Sequence, residues 1–369
     1  MIIQCKKNEL STILQEMIAV IPSSSLVPVL NCFHFSVKDQ QITITASDLE
    51  IGFTSHMKCE ADGDITVAIP AKLLTDIVKS MEEEFIKMEF IDLHLTIYGQ
   101  TNHFSIHCID PEEFPALPEV VGTSYDVSIS HLISLYNKVS PAVSQKAEGN
   151  LNLHCIPLQS DGNELRMIAS DAQRLVVAKT IEDQDYDTIR VLALPKVFKI
   201  LSKLSLKAKT DRMNMVIADR EIMFSFEQQT LVSRLVDSNF PDYTKVIPKE
   251  SSYRFIVNRD KLMHALQRLY LVVRANTGRI SMKLKEQSIL LVANDPEIGS
   301  GEEEVPVEYL DRSGEACEVL FDARYMMEGV EGVETNLVEY NLQGSIHPLV
   351  IKEPESDKYV YVLVTIRMK

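Results

Sequence analysis

The chain has 369 residues, 45% of them hydrophobic and 24% charged, an ordinary globular composition with room for two or three domains. Its net charge of −16, from 53 acidic against 37 basic residues, argues against binding nucleic acid through bulk positive charge, although a basic lining can sit inside an acidic exterior. No apolar run reaches the roughly 18 residues that span a membrane, the N-terminus lacks a secretory apolar region, and six scattered cysteines form no Cys-x-x-Cys pair, so a cytoplasmic protein with buried, reduced thiols is expected.

The predicted elements begin with a helix whose apolar stripe is Leu10, Ile13, Leu14, Met17, Ile18 and Ile21, ended by Pro22. Strands follow around residues 31–37 and 41–45. The second strand closes on Ala46-Ser47-Asp48, a β-branched run stopped by a turn. A second helix starts at Pro70, with Leu73, Leu74, Ile77, Val78 and Met81 as its buried stripe and Lys72 and Lys79 on another face. Strands over 93–98 and 103–109 lead to Phe114-Pro115-Ala116-Leu117-Pro118.

The plan then recurs. A helix is predicted from about residue 129 to 143, with Leu132, Leu135, Tyr136 and Val139 apolar. Ala169-Ser170-Asp171 repeats the strand-to-turn motif. A helix from Pro195 turns Val197, Ile200, Leu201 and Leu204 inward and Lys196, Lys199 and Lys203 outward, and Phe240-Pro241-Asp242-Tyr243 closes the run. In the last third the helix is 259–273, the motif is Ala293-Asn294-Asp295, a helix starts at Asp322, and a strand covers 359–366. Four landmarks in one order define a repeat, giving an α+β fold of three tandem units, each with two helices on antiparallel sheet, at 1–122, 123–250 and 251–369.

The chemistry is sparse. Asp48, Asp171 and Asp295 would have to converge to hold a divalent metal for a repeat-built enzyme; the plainer reading is that each accepts backbone hydrogen bonds in its own turn. His103 and His107 sit in a strand, where four-residue spacing does not favour chelation. Glu82-Glu83-Glu84 and Glu302-Glu303-Glu304 read as solvated surface, and no phosphate loop, dinucleotide fingerprint or nucleophile elbow is present. No catalytic residue, metal or cofactor is expected. The helix lysines Lys72, Lys79, Lys138, Lys196, Lys199 and Lys203, with Arg259, Lys261, Arg268 and Arg274, could instead line one basic surface that touches phosphates without reading bases.

Three tandem units, Ala169-Ser170-Asp171-Ala172-Gln173-Arg174-Leu175, Phe240-Pro241-Asp242-Tyr243 and the terminal Ile366-Arg367-Met368 resemble the bacterial DNA sliding clamp family, the β subunits of DNA polymerase III, over the whole chain. The resemblance implies a non-catalytic, head-to-tail homodimeric ring, with helices lining the hole and sheets outside. Such a ring encloses double-stranded DNA, is opened by an ATP-driven loader, and tethers the polymerase α subunit and other proteins carrying a clamp-binding motif. Of the basic residues, Lys72, Lys79, Lys138, Lys196, Lys199, Lys203 and Arg268 are then expected to face DNA.

It further implies a partner-peptide pocket between the second and third units. Its walls would include Leu153, Ser170, Arg174, Leu175, Pro241, Val246, Ile346, Val362 and Val364, and its polar rim Gln173, Lys245, Asp322, Tyr325 and Arg367. The ring seam is expected where Phe104 and Ile106 of one chain meet Leu271, Val272 and Val273 of the other. Ala172, Gln173 and Thr365 depart from glycine, histidine and proline, which are common at those places in the family, and Ser24 replaces an often basic loop residue near DNA. A specialised clamp copy with an altered pocket and a monomeric peptide-binding adaptor are the competing readings.

Overall fold

The structure, a computed structural model, describes residues 1–145, 152–313 and 317–367. One order of elements recurs three times. The first run is β1 (Ile2–Lys6), α1 (Lys7–Met17), β2 (Cys32–Lys38), β3 (Gln41–Ser47), β4 (Ile51–Lys58), β5 (Glu60–Ala61), β6 (Ile65–Pro70), α2 (Ala71–Ser80), β7 (Phe85–Ile91), β8 (His94–Tyr98) and β9 (His103–His107). The second is β10 (Thr123–Ser128), α3 (Ile129–Val139), β11 (Ile156–Asp161), β12 (Glu164–Ser170), β13 (Arg174–Ile181), β14 (Arg190–Ala193), α4 (Pro195–Ser205), β15 (Arg212–Ile217), β16 (Glu221–Phe226) and β17 (Gln229–Arg234). The third is β18 (Tyr253–Asn258), α5 (Arg259–Val273), β19 (Arg279–Leu284), β20 (Ser288–Asp295), β21 (Gly299–Arg312), β22 (Glu318–Asp322), α6 (Ala323–Glu331), β23 (Leu337–Leu342), β24 (Leu349–Lys352) and β25 (Tyr359–Leu363).

The chain forms two compact units, residues 1–133 with 196–237 and residues 134–195 with 238–369. Each holds the meeting of one run with the next. In the first unit the eight-stranded sheet has the order β10-β15-β16-β17-β4-β3-β2-β6, so β17 of the second run pairs antiparallel with β4 of the first. A separate five-stranded sheet, β5-β1-β7-β8-β9, ends on β9. In the second unit a twelve-stranded sheet has the order β14-β11-β12-β13-β25-β24-β23-β18-β21-β20-β19-β22, and β13 of the second run pairs with β25 of the third.

Side chains alternate along these strands, as the twofold period of a pleat requires. Ile42, Ile44 and Ala46 of β3 are fully buried, as are Ile289, Leu291 and Ala293 at the same places in β20. The helices bury their stripes at three- and four-residue spacing, Leu10, Ile13, Leu14 and Met17 in α1 and Val197, Ile200, Leu201 and Leu204 in α4. Asn258 caps α5, its side chain accepting from the Lys261 N–H at 3.0 Å.

Several boundaries differ from the sequence reading. α1 stops at Met17, five residues before Pro22, and Ile18 and Ile21 are only half-buried. The helix expected to reach residue 143 ends at Val139 and tightens into a 3-10 turn over Ser140–Ala142, because Pro141 has no N–H to continue the ladder. In α2 the buried residues are Ala71, Leu74, Thr75 and Val78, whereas Leu73 is exposed. Five of the six free cysteines are buried; Cys59 is half-exposed.

The aspartate motifs are three copies of one turn. Asp48 Oδ1 accepts from the N–H groups of Glu50 and Ile51 at 3.0 and 2.7 Å. Asp171 Oδ1 accepts from Gln173 and Arg174 at 3.0 Å each, and Asp295 Oδ1 from Glu297 and Ile298 at 3.0 and 3.1 Å. Each carboxylate thus satisfies its own backbone, as the turn reading requires. The residue after the first two is left-handed, Leu49 with φ 74 and Ala172 with φ 69. Pro296 cannot adopt that conformation. The third turn is one residue longer, and Gly299 takes the positive φ, at 137.

Candidate partner-binding site

In the second unit, Ile168 of β12, Leu175 and Val177 of β13, Val350 of β24 and Val362 of β25 form one buried apolar cluster. Leu175 stands opposite Val362, and the Val364 N–H donates to the Gln173 carbonyl at 2.9 Å, extending the seam between the strands. Phe240, Tyr243, Ile247 and Val360 pack on the cluster half-buried. Large apolar side chains remain in solvent around it: Val246 is 48%, Ile346 65% and Val364 43% exposed. Leu153 and Pro241 are half-buried, and Thr365 is buried. Exposed aliphatics beside an apolar floor are the composition of a groove that buries the anchors of an extended ligand.

The polar residues expected in this pocket divide by what already holds them. Lys245 is highly exposed and pairs with Asp242 at 3.3 Å. Hydrogen bonds from Thr244, then Lys245, hold the Asp242 carboxyl below its ordinary range. Gln173 and Arg367 are exposed. Ser170 donates to the Arg174 carbonyl at 2.8 Å. Asp322 is the N-cap of α6, accepting from Arg324 and Tyr325 at 2.9 and 3.2 Å. Met368 lies outside the described residues.

Arg174 is placed differently from a wall residue. It is 7% exposed; its Nε donates to Asp171 Oδ2 at 3.1 Å and its two other nitrogens bind Glu328 of α6 and the Pro141 carbonyl. The guanidinium lies 4.0 Å from the centre of the Tyr325 ring. The side chain therefore ties β13 of the second run to α6 of the third. That role depends on neighbours remote in sequence, which no local signal announces.

Of the residues expected to face DNA, Lys72, Lys79, Lys199 and Lys203 are exposed and make no ion pair among the described residues. Three others are engaged. Lys138 has only 13% of its side chain exposed and pairs with Glu334 at 2.7 Å. Lys196 binds Asp48 and the Val20 carbonyl, and Arg268 makes a two-pronged pair with Glu303 at 2.5 Å per contact. Arg268 hydrogen bonds hold the Glu303 carboxyl below its usual range. At the expected seam, Phe104 and Leu271 are exposed and Val272 half-buried, but Ile106 and Val273 point into the chain's own core and can only back a contact. Among the described residues no cluster of metal-ligating side chains occurs, and no helix is long and apolar enough to cross a membrane.

Comparison with known proteins gives a consistent answer along the chain. Family models of the DNA polymerase III beta subunit match its N-terminal domain at residues 1–118, its central domain at 126–242 and its C-terminal domain at 244–367. The β sliding clamp of Synechococcus elongatus is 26% identical over 99% of both chains, and that of Pseudomonas aeruginosa 27% identical over 96% of both. The crystal structure of the Pseudomonas aeruginosa β subunit superposes over 100% of both chains with a TM-score of 0.92 at 26% identity. A Bacillus subtilis clamp shares the fold at a TM-score of 0.93. Three clamp domains follow one another on one α+β repeat, and the chain belongs to the β sliding clamp family, the β subunits of DNA polymerase III.

Proposed function

We propose that two copies of this chain close head to tail into a ring that encircles duplex DNA, slides on it and holds the replicative polymerase there, with no catalytic role of its own. The observation that carries the reading is an unused strand edge in each unit. Among the described residues, β9 ends its sheet with one side unpaired, and residues 299–306 of β21 pair only with β20. The two meetings of runs inside the chain each join such edges, so a second copy completes both.

With helices toward the hole, Lys72, Lys79, Lys199 and Lys203 supply a sparse, sequence-independent phosphate contact. Encirclement explains how a chain of net charge −16 works on DNA: retention comes from topology, and weak contacts permit sliding. We propose the apolar groove of the second unit as the docking place for an extended segment of the polymerase α subunit, the loader and other clamp-binding proteins, with Val246, Ile346 and Val364 taking its apolar anchors. We assign residues 1–122, 123–250 and 251–369 as the three domains, and a cytoplasmic location.

The test is retention on circular against linearised DNA after loading, at moderately high salt. Phosphate contacts weaken steeply with salt and a topological link does not. Retention on circles with loss from linear DNA is expected; equal loss from both overturns the ring.

A further inference from the structure

Resting on that ring reading, in which β9 of one copy lies antiparallel beside residues 299–306 of the next, we propose that the seam responds to pH. The register puts Phe104 opposite Gly301 and His103 opposite Glu302, and the second pair makes the ring tighten as the pH falls.

The register comes from the two inner meetings. In the hairpins that carry the aspartate turns, Ala46 pairs with Phe53, Ala169 with Val176 and Ala293 with Gly301, so these three partners are equivalent. Phe53 faces Leu231 of β17, and Val176 faces Tyr361 of β25. In the last hairpin of the second run the core pairs are Ile222 with Ser233 and Phe224 with Leu231; in the first run they are Leu95 with Ile106 and Ile97 with Phe104. Phe104 is therefore the counterpart of Leu231, and its partner at the outer meeting is Gly301. One step along, where Thr230 faces Thr54, His103 faces Glu302.

Both pairs fit. A β-carbon on Gly301 would meet Leu269 Cδ2 at 3.0 Å and Val272 Cγ2 at 3.7 Å, so the glycine leaves a notch with an apolar border. Phe104, 36% exposed, is the side chain to fill it. In the acidic run, Glu303 is bound by Arg268 and Glu304 by Lys285 at 2.8 Å, but Glu302 has no cation among the described residues. His103 is exposed, with its ring 6.4 Å from that of Tyr98 on β8.

The charged groups around His103 decide the sign. On β7, Lys87 sits 5.6 Å over the Tyr98 ring, and Glu89 accepts the Tyr98 hydroxyl at 2.5 Å. Four residues along β9, His107 packs against His94 at 4.6 Å between rings. These neighbours are present in the single chain and in the ring alike. The neighbouring copy adds Glu302, and Glu304 with its Lys285 counter-charge. The imidazolium therefore gains a carboxylate only on assembly, and the gain is lost once the imidazole is neutral.

The dimer dissociation constant is read by sedimentation of the full chain from pH 5.5 to 8.5 at constant ionic strength, for the parent, His103→Gln, Glu302→Gln and the double variant. A cross-strand pair of opposite charge is expected to tighten each seam by up to about fivefold on acidification, hence up to about 25-fold for a ring with two. Either single variant flattens the profile and the double adds nothing. Phe104→Ala weakens assembly equally at every pH. A parent dimer with the same pH profile as both single variants overturns the pairing and leaves the ring; a parent that stays a single chain at every pH overturns the ring as well.

Discussion

Arg174→Ala tests whether the guanidinium ties two repeats together or serves a ligand. The substitution removes the contacts to Asp171, Glu328 and the Pro141 carbonyl, and the stacking on Tyr325, in one step. It leaves two carboxylates with 16% and 25% of their side chains exposed and no counter-charge from this site. Removing one partner of a buried pair costs about 3–5 kcal/mol; with Glu328 a quarter exposed, the lower end, about 3 kcal/mol, is expected. For a cooperative unit of this size that lowers the melting temperature by roughly 6–12 °C. Urea and thermal unfolding measure it. Glu328→Gln in the Arg174→Ala background should recover part of the loss, and Arg174→Lys should fall between, because an ammonium cannot span the fork. An Arg174→Ala change within about 0.5 kcal/mol of the parent would refute the strap. Lost affinity for a polymerase-derived peptide at undiminished stability would return the residue to the pocket wall.

Four further outcomes are expected. Ala172→Gly relieves the left-handed strain of about 1–2 kcal/mol at the cost of chain entropy, so a net gain of about 0.5–1 kcal/mol should appear in the urea midpoint. Leu175→Ala opens the floor of the groove and should cost about 2–4 kcal/mol in unfolding while weakening peptide binding. Gly52→Ala places a β-carbon 2.4 Å from Leu117 Cδ2 and should destabilise by about 1–3 kcal/mol, with Leu117→Ala restoring much of it in the double variant. Arg268 depresses the Glu303 carboxyl, so that pair contributes stability above the ordinary carboxylate range and loses it as the pH falls through the folded value. Arg268→Ala should therefore flatten the acid limb of stability below about pH 4.5, read as urea midpoints from pH 3 to 6.

The repeat was legible because the residues that terminate its strands are chemically demanding. An aspartate that must accept two backbone N–H groups cannot be exchanged freely, so Asp48, Asp171 and Asp295 mark the period. Helix faces were legible where packing follows the stripe, as in α4, and misread where it does not. Leu73 belongs to the stripe by spacing, but Thr75 takes the buried place. The lysines show the limit of local reasoning. Lys138, Lys196 and Lys199 look alike on their helices, yet only Lys199 is left without a carboxylate, because Glu334 and Asp48 arrive from other runs. The same holds for Arg174, whose partner Glu328 is set by the pairing of β13 with β25.

The two inner meetings also differ in how much apolar surface they leave exposed. They share a register, with Gly52 opposite Val232 in the first and Leu175 opposite Val362 in the second. At the first, glycine leaves a notch and the chain's own Leu117 fills it, beside a cavity of about 220 Å³ bordered by Leu49, Ile51 and Val232. At the second, Leu175 itself fills the floor, and the following segment packs over it without entering it. Tyr243 and Phe240 lie half-buried on the cluster, while Val246, Ile346 and Val364 stay exposed. One residue, glycine or leucine at the same place in the repeat, thus separates a meeting closed by its own linker from one with apolar surface to spare. A ring of two chains would then offer two docking grooves rather than four.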